Sequence, residues 1–137
     1  MTDYRAQPLD QSVTHTERAA SAALQVVDLR QAATSVAQAY KNFVLLDVND
    51  HCLRMAVMEG EFRWHHHPRS DECFLVLEGE LEIDLTGGET IHLRPGQAYV
   101  LPAGVIHRTR SRGRCVNLCF ENHGAYTDVV FEDRVPL

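Results

Sequence analysis

Three consecutive histidines stand at positions 65–67, in the stretch WHHHPRSDE that runs from Trp64 to Glu72. In extended backbone successive side chains alternate, so His65 and His67 project to one side and His66 projects to the other. Imidazoles two residues apart on a strand are about 7 Å apart at the backbone and can converge on a single ion. This spacing indicates a metal site, although a lone histidine is more often an ordinary surface or core residue.

Two further side chains extend this ligand set. Pro68 turns the chain, and Glu72 stands near the start of the next strand, where its carboxylate can close onto the same point. His107 follows a Pro-Gly turn later in the chain. Three imidazole nitrogens and one carboxylate oxygen suit a divalent transition ion. An ion that favours six ligands would keep two positions for water or substrate, so the site could orient a substrate and polarise its oxygen.

The elements that must position these residues are short β-strands. From Asn42 onward, apolar runs such as FVLLDV, CFLVLEG and CVNLCF are separated by turn signals such as VNDH, TGG, PAG and SRGR. Short strands at regular intervals predict an antiparallel sandwich or barrel. The run ELEIDL alternates acidic and apolar residues, so we expect Leu81 and Ile83 to point inward and Glu82 and Asp84 to form a solvated outer face. Alternation likewise turns Arg108 and Arg110 away from His107, toward solvent or an interface.

The first 40 residues have a different character. Residues 1 to about 22 are polar and predict an arm. Asp28 is expected to cap a helix from about Leu29 to Tyr40, because its carboxylate can accept hydrogen bonds from the free N–H groups of the first turn. We therefore expect an N-terminal arm and short helix over residues 1–40, followed by a barrel over residues 41–137.

Composition excludes several function classes. A chain of 137 residues with a formal net charge of −6 would repel nucleic acid. The sequence has no signal-peptide pattern and no apolar run near the roughly 20 residues that span a bilayer, so we expect a cytoplasmic protein with no membrane partner. The cysteines show no CxxC pair and are expected to be reduced core residues: Cys52, Cys73, Cys115 and Cys119.

Two stretches resemble the motifs of the cupin superfamily. GEFRWHHHPRSDECFLVLEG is similar to the first motif, with matching positions at Gly60, His65, His67, Glu72 and Gly79. GQAYVLPAGVIHRTRS is similar to the second, with matching positions at Gly96, Pro102, Gly104 and His107. The gap after Gly60 is one residue shorter than usual, and Ser111 stands where asparagine is common. A register through His66 would restore the gap but would place Pro68, which cannot ligate, at the second histidine position.

The resemblance covers about residues 42–121 and implies an all-β fold, a small jelly-roll barrel also called a double-stranded β-helix. The chain resembles the small single-domain, bacterial-type cupins, and the short N-terminal helical segment would precede the barrel. The resemblance also implies a homodimer and one divalent transition metal ion, which could be iron, manganese, nickel, cobalt or zinc. The implied metal ligands are His65, His67, Glu72 and His107.

This resemblance implies a metal-dependent enzyme of the oxygenase, isomerase or lyase type that acts on a small polar metabolite. The alternative is a non-catalytic module that binds a small molecule or a metal. Glu72 argues against a thiol dioxygenase, a class that usually lacks this glutamate. Arg54 or Arg63 could hold a substrate carboxylate. The expected substrate contacts are Arg54, Met55, Phe74, Tyr99 and Phe120.

Overall fold

The computed structural model of the protein describes residues 18–133. Most of the arm expected over residues 1–22 therefore lies outside the described residues. The first described residues lie beside a strand, because the N–H groups of Ala20 and Ser21 donate to the carbonyls of Val44 and Leu45.

The described residues are mostly β-structure, which confirms the all-β prediction. The strands curl into a single antiparallel sheet. Their bounds are β1 Lys41–Val48, β2 His51–Glu61, β3 His65–His66, β4 Glu72–Glu78, β5 Leu81–Leu85, β6 Thr90–Leu93, β7 Ala98–Leu101, β8 His107–Asn122 and β9 Val130–Phe131. A 3₁₀ turn, His123–Tyr126, precedes β9.

Strand β8 is the centre of this sheet. Along one side it pairs with β2 and then β3, and along the other it pairs with β4 and β5. The SRGR turn predicted within this region is wrong, because the strand runs through it. Residues 112–114 bulge instead, so that Ser111 lies opposite Gly60 while Cys115 lies opposite Met58.

Helix α1, Leu29–Thr34, begins as the sequence predicts, with the Asp28 carboxylate accepting from the Gln31 N–H at 2.9 Å. It ends earlier than the predicted Tyr40. The hydroxyls of Thr34 and Ser35 donate to carbonyls of the preceding turn, which competes with continued helix. The guanidinium of Arg114 donates to the carbonyls of residues 33 and 36 and so satisfies the C-terminal end.

Two apolar clusters flank the sheet. The inner one includes Phe74, Val76, Leu81, Ile83 and Leu101. The outer one lies beneath α1 and includes Ala33, Val36, Met55, Val57, Val116 and Leu118. Gly79 permits the close approach of two strands, because a Cβ there would lie 2.3 Å from the Arg114 carbonyl oxygen and its φ is +74°.

The acidic face of β5 is not solvated, contrary to the sequence-based expectation. Glu82 and Asp84 are each 7% exposed. They lie opposite Arg110 and Arg108 of β8 in the strand register. The Asp84 carboxylate accepts from Arg108 and Arg110, both at 2.8 Å, and Arg110 also pairs with Glu82. The arginines lie on the outer face as alternation requires, but they cover the acids instead of facing water alone.

Candidate metal centre

Strand pairing places two of the candidate ligands side by side. His65 of β3 lies directly opposite His107 of β8, and partners in register project to the same face of a sheet. Their ring centroids are 4.3 Å apart. His67 follows two residues after His65 and its ring meets the His65 ring edge-on, with centroids 5.3 Å apart. The three imidazoles therefore line one small region of the inner face.

Glu72 closes the group from the first position of β4. Its Oε1 lies 2.9 Å from His67 Nε2 and 3.5 Å from His107 Nε2. The ligand atoms of His65, His67 and Glu72 all lie within 4.8 Å of one another, and all four side chains are buried. Donors bound at about 2.1 Å and at right angles around one ion lie about 3 Å apart. The spacing thus fits donors that share a cation.

The outward nitrogen of each imidazole is occupied. Nδ1 of His65 lies 2.7 Å from the Arg63 carbonyl, and Nδ1 of His107 lies 2.8 Å from the Val105 carbonyl. Nδ1 of His67 lies 3.0 Å from a carboxylate oxygen of Asp128. Carbonyls, and a carboxylate once ionised, can only accept, so Nδ1 carries the proton in each ring. In a neutral ring, Nε2 then carries no proton and has a lone pair available. This is the tautomer that a metal requires.

Two of the inward atoms lack an aligned hydrogen-bond partner. Glu72 Oε1 and His107 Nε2 are fully buried, and the contacts that Glu72 Oε1 makes with His67 Nε2 and His107 Nε2 do not have the alignment of a good hydrogen bond. Buried polar atoms without partners are rare in folded proteins and require an explanation such as an ion. The donor set therefore fits the divalent ion that the sequence motifs imply.

The pKa shifts of the histidines in the cluster also fit a positive ion at this place. Burial, together with the neighbouring His107, lowers the pKa of His65 to about 3, and burial also lowers the pKa of His107. Burial opposes a charge on His67, but its contacts with Glu72 and Asp128 outweigh burial and raise the pKa of His67 to about 9. Without an ion, a proton on His67 supplies the positive charge that Glu72 needs.

Asp128 is a residue of this site that the sequence did not reveal. Its carboxylate accepts from the Arg69 N–H at 3.1 Å and the Ser70 hydroxyl at 3.3 Å, besides holding the His67 ring. It orients His67 and also ties the turn after β3 to the segment before β9. No motif surrounds it in GAYTDVV, and its position follows only from the fold.

A cavity opens beside the cluster, with a volume of about 680 Å³ that includes space open to solvent. Of the five expected substrate contacts, Arg54 and Phe74 line it, whereas Met55, Tyr99 and Phe120 are not among its lining residues.

Strand parity explains where those three residues lie. Arg54 and Cys119 are paired in register and face the cavity, so the adjacent Met55 and Phe120 must face outward. Met55 is buried beneath α1, and Phe120 is 43% exposed. Tyr99 lies opposite Phe74 on the inner face but packs against the inner apolar cluster.

Residues 53–121 match the family described as Cupin domain. The chain belongs to the cupin family. The uncharacterized protein YdbB of Bacillus subtilis (strain 168) is 50% identical over 100 residues, which cover 73% of this cupin and 88% of YdbB.

Solved structures agree with this assignment. A cupin-2 domain containing protein from Shewanella frigidimarina NCIMB 400 matches with a TM-score of 0.68 and 32% identity, over 71% of this cupin and 94% of that chain. The DMSP lyase DddQ from Ruegeria pomeroyi DSS-3 matches with a TM-score of 0.58 and 23% identity, over 67% and 51% of the two chains. The latter likeness shows the fold alone. In residues 18–133 of this cupin, no helix is long and apolar enough to cross a membrane.

A polar wall lies next to Glu72 in the lining of the cavity of this cupin. Arg54 Nε lies 2.9 Å from Glu121 Oε1, and an Arg54 terminal nitrogen donates to Asn42 at 2.9 Å. The Cys119 thiol contacts Glu72 at 3.6 Å and Glu121 at 3.7 Å. Burial, followed by the charge of Glu72, raises the pKa of Glu121 to about 7, and burial raises the pKa of Cys119 well above its usual value.

This wall includes a second group of ligand-type atoms, from Glu72, Cys119 and Glu121. The guanidinium of Arg54 already supplies a cation to Glu121 at this place. A divalent ion would have to lie close to that guanidinium and displace a thiol proton held by burial. The histidine side of Glu72 is the better position for an ion.

Proposed function

We propose that this cupin is a metal-dependent enzyme that acts on a small polar metabolite. One divalent transition ion (iron, manganese, nickel, cobalt or zinc) would be held by His65, His67, Glu72 and His107. The observation that carries the proposal is the shared arrangement of the three imidazoles. Each has its Nδ1 occupied from outside, while the site keeps buried acceptor atoms without aligned partners beside an open cavity.

The reaction would be of the oxygenase, isomerase or lyase type. When bound, the ion would supply Lewis acidity to a substrate oxygen. The residues of the chain would do the remaining work. Phe62 and Phe74 provide apolar walls, and the Arg54–Glu121 pair with Asn42 provides hydrogen-bonding groups in the same lining. Such a mixed lining suits a small metabolite with one polar end held at the ion and a second polar group at Arg54.

The test begins with metal binding. The purified protein, stripped with a chelator, is titrated with Co²⁺ and followed by visible absorption, which reports ligand-field bands of the bound ion. We expect one Co²⁺ per chain. The variant His107→Ala should lose these bands, whereas His92→Ala, whose side chain is 61% exposed outside the cluster, should keep them. Absence of stoichiometric binding by the wild type would refute the metal site.

A second step separates the enzyme from the alternative, a non-catalytic binding module. The loaded protein is mixed with small hydroxy acids, keto acids and sugars, and changes in the Co²⁺ bands identify compounds that reach the ion. Mass spectrometry of the same mixtures, repeated with each candidate metal and with and without oxygen, then looks for products. Binding without any product would favour the module over the enzyme.

We also propose a cytoplasmic location, supported by the cysteines. Among the described residues, Cys52, Cys73, Cys115 and Cys119 form no disulfide, as expected for a protein kept in a reducing compartment.

A further inference from the structure

Two buried carboxylates lie side by side in the lining of the cavity. Strand register places Glu121 of β8 opposite Glu72 of β4, and partners in register project to the same face. Glu72 is 6% exposed and Glu121 is 5% exposed. The ligand-type atoms of Glu72, Cys119 and Glu121 all lie within 4.8 Å of one another. Like charges this close repel strongly in a buried site, so each carboxylate needs a cation of its own.

The two carboxylates turn toward different cations. Glu72 contacts the histidine cluster, where the proposed ion would lie. Glu121 instead has Arg54, whose Nε lies 2.9 Å from Glu121 Oε1. Arg54 is itself 4% exposed, and one of its terminal nitrogens donates to Asn42 Oδ1 at 2.9 Å. The charge of the guanidinium is therefore balanced within the fold and cannot also balance a substrate anion.

Arg54 is the one lysine or arginine among the described residues that line the cavity. Arg63, the other arginine expected near a substrate, is not one of these lining residues. Its guanidinium lies 4.0 Å from the centre of the Phe131 ring and 3.6 Å from the Asp133 carboxylate. A carboxylate or phosphate placed beside Arg54 would therefore meet Glu121 at close range, and the lining would supply no further cation to balance it.

The same groups match a neutral hydroxyl. A guanidinium has five N–H donors and an ionised carboxylate has about four lone-pair sites, so the Arg54–Glu121 pair can bind a further group and stay intact. A hydroxyl both donates and accepts, so it can donate to Glu121 and accept from Arg54 without burying another charge. Neutral polar side chains also line the cavity, among them Asn42, Thr109 and Asn117.

We propose that the Arg54–Glu121 pair is a specificity site that binds a hydroxyl group of the substrate and rejects a second carboxylate or a phosphate. The substrate is then a hydroxylated compound with one chelating end at the ion and a neutral hydroxyl at the other end. This inference rests on the proposed function, since the ion would hold the first end. The compound is short, because Glu72 contacts both the histidines and Cys119, which in turn contacts Glu121.

Three acids that differ only at their fourth carbon test this inference. That carbon is a methyl group in 2-hydroxybutyrate, carries a hydroxyl in 2,4-dihydroxybutyrate and is a carboxylate in malate. All three share a 2-hydroxy acid end that chelates Co²⁺, so the Co²⁺ bands of the loaded protein report the dissociation constant of each at about pH 8. The two monocarboxylates chelate alike, and the wild type should bind 2,4-dihydroxybutyrate about tenfold tighter than 2-hydroxybutyrate.

Variants of the pair test the rejection of a second carboxylate. Glu121→Gln keeps the shape of the side chain and leaves Arg54 with an unbalanced charge, so affinity for malate relative to 2,4-dihydroxybutyrate should rise at least about tenfold. Asn42→Asp makes the opposite change beside the same guanidinium and should lower this ratio, so it decides the question if Glu121→Gln does not fold. The matched control Glu80→Gln alters a 69% exposed carboxylate outside the cavity lining and should leave the ratio unchanged.

Co²⁺ binding by each protein is measured first, which separates failure of this inference from failure of the proposed function. A wild type that binds no Co²⁺ refutes both. A loaded wild type that binds none of the three acids, or that binds the hydroxyl and methyl compounds equally, would overturn the specificity site and leave the metal site standing. A malate ratio that stays at the wild-type value in both Glu121→Gln and Asn42→Asp would overturn it as well.

Discussion

Two clusters of buried charged groups lie on opposite faces of β8, and their charges are satisfied differently. On the inner face, His107 approaches Glu72, and atoms of both remain without an aligned partner. On the outer face, Arg108 and Arg110 enclose Asp84, and Thr90 donates to the same carboxylate at 2.7 Å. We call the outer cluster closed, because its charged groups pair with one another. We call the inner cluster open, because some of its buried polar atoms have no aligned partner.

The difference separates a cluster whose charges are paired within the fold from the cluster that is proposed to bind an ion. Burial alone would raise the pKa of Asp84, but hydrogen bonds from Arg110, Arg108 and Thr90 outweigh it and hold the pKa of that carboxyl well below its usual range. Burial opposes ionisation of Glu72 as well, and the contact with His67 lowers its pKa to about 2. A guanidinium cannot give up its charge, whereas the proton on His67 can be replaced by an ion. The inner cluster is therefore the one suited to exchange a ligand.

The largest expected effect comes from removing a carboxylate of the open cluster. Glu72→Gln keeps the shape of the side chain but removes the negative charge that faces His67 and His107. We expect metal affinity to fall about a thousandfold, or by about 4 kcal/mol, because one of four ligands of a site worth about 10–16 kcal/mol is lost. Competition with a chromophoric chelator measures this change. Unaltered affinity would show that the ion is held elsewhere.

The second prediction concerns the closed cluster. Arg110→Ala leaves Asp84 and Glu82 with one guanidinium fewer, and breaking such a pair costs about 3 kcal/mol of unfolding free energy. Urea denaturation measures the loss, and the Co²⁺ titration should stay at one ion per chain. Arg112→Ala, whose side chain is 85% exposed, is the matched control and should change stability little. A loss of metal binding in Arg110→Ala would mean that the two faces are coupled.

The pH dependence of this cluster follows from the sign of the Asp84 shift. Its pKa is lower in the folded protein than in the unfolded chain. The stabilisation is therefore fully present above the unfolded value of about 3.9 and is lost as the pH falls toward the folded value. The variant Asp84→Asn should accordingly flatten the acid limb of the stability curve.

The third prediction concerns the contact between Asp128 and His67 in the open cluster. Asp128→Ala removes the acceptor that holds His67 Nδ1, so the ring loses its preferred tautomer and orientation. Loss of such a partner lowers metal affinity about 10- to 100-fold. Asp133→Ala, a change in a 92% exposed carboxylate, should leave the affinity unaltered. A structural role alone would lower the thermal midpoint of Asp128→Ala without changing its Co²⁺ spectrum.

The sequence was sufficient for the parts of the molecule that local spacing determines. Alternation and turn signals predict the strand character and the Asp28 cap. They also predict that the residues at 65 and 67 share one face and that residue 72 stands near the start of the next strand. The structure brings these residues together with His107 because β8 lies opposite β3, and that pairing is implied only by the resemblance to a known family.

Other features depend on contacts between distant segments. Predicting the burial of Asp84 requires knowing that β8 places two arginines opposite β5. Asp128 reaches His67 only through the chain after β8.

Met55 and Phe120, two of the expected substrate contacts, illustrate a different error. Alternation from Arg54 and Cys119 places both outside the barrel, so strand parity alone argued against grouping Arg54 with Met55 as contacts to the same cavity.

The smallest expected effect, about tenfold for each pH unit, is a pH dependence of metal binding that the closed cluster cannot share. The pKa of His67 is raised to about 9 in the metal-free protein, so below that pH an ion must displace one proton from this ring. Apparent affinity should rise about tenfold per pH unit between about pH 6.5 and 8.5 and then level off. The shifts of His65 and His107 are downward, so these rings are already neutral and add no protons. Calorimetry in buffers of different ionisation enthalpy should count about one proton released per ion at pH 7.

The same proton stabilises the metal-free fold below the unfolded value of about 6.5 and is lost as the pH rises through about 9, so metal-free stability should decline over that range. Binding that releases no proton would show that Glu72 and Asp128 do not hold His67 in its charged form.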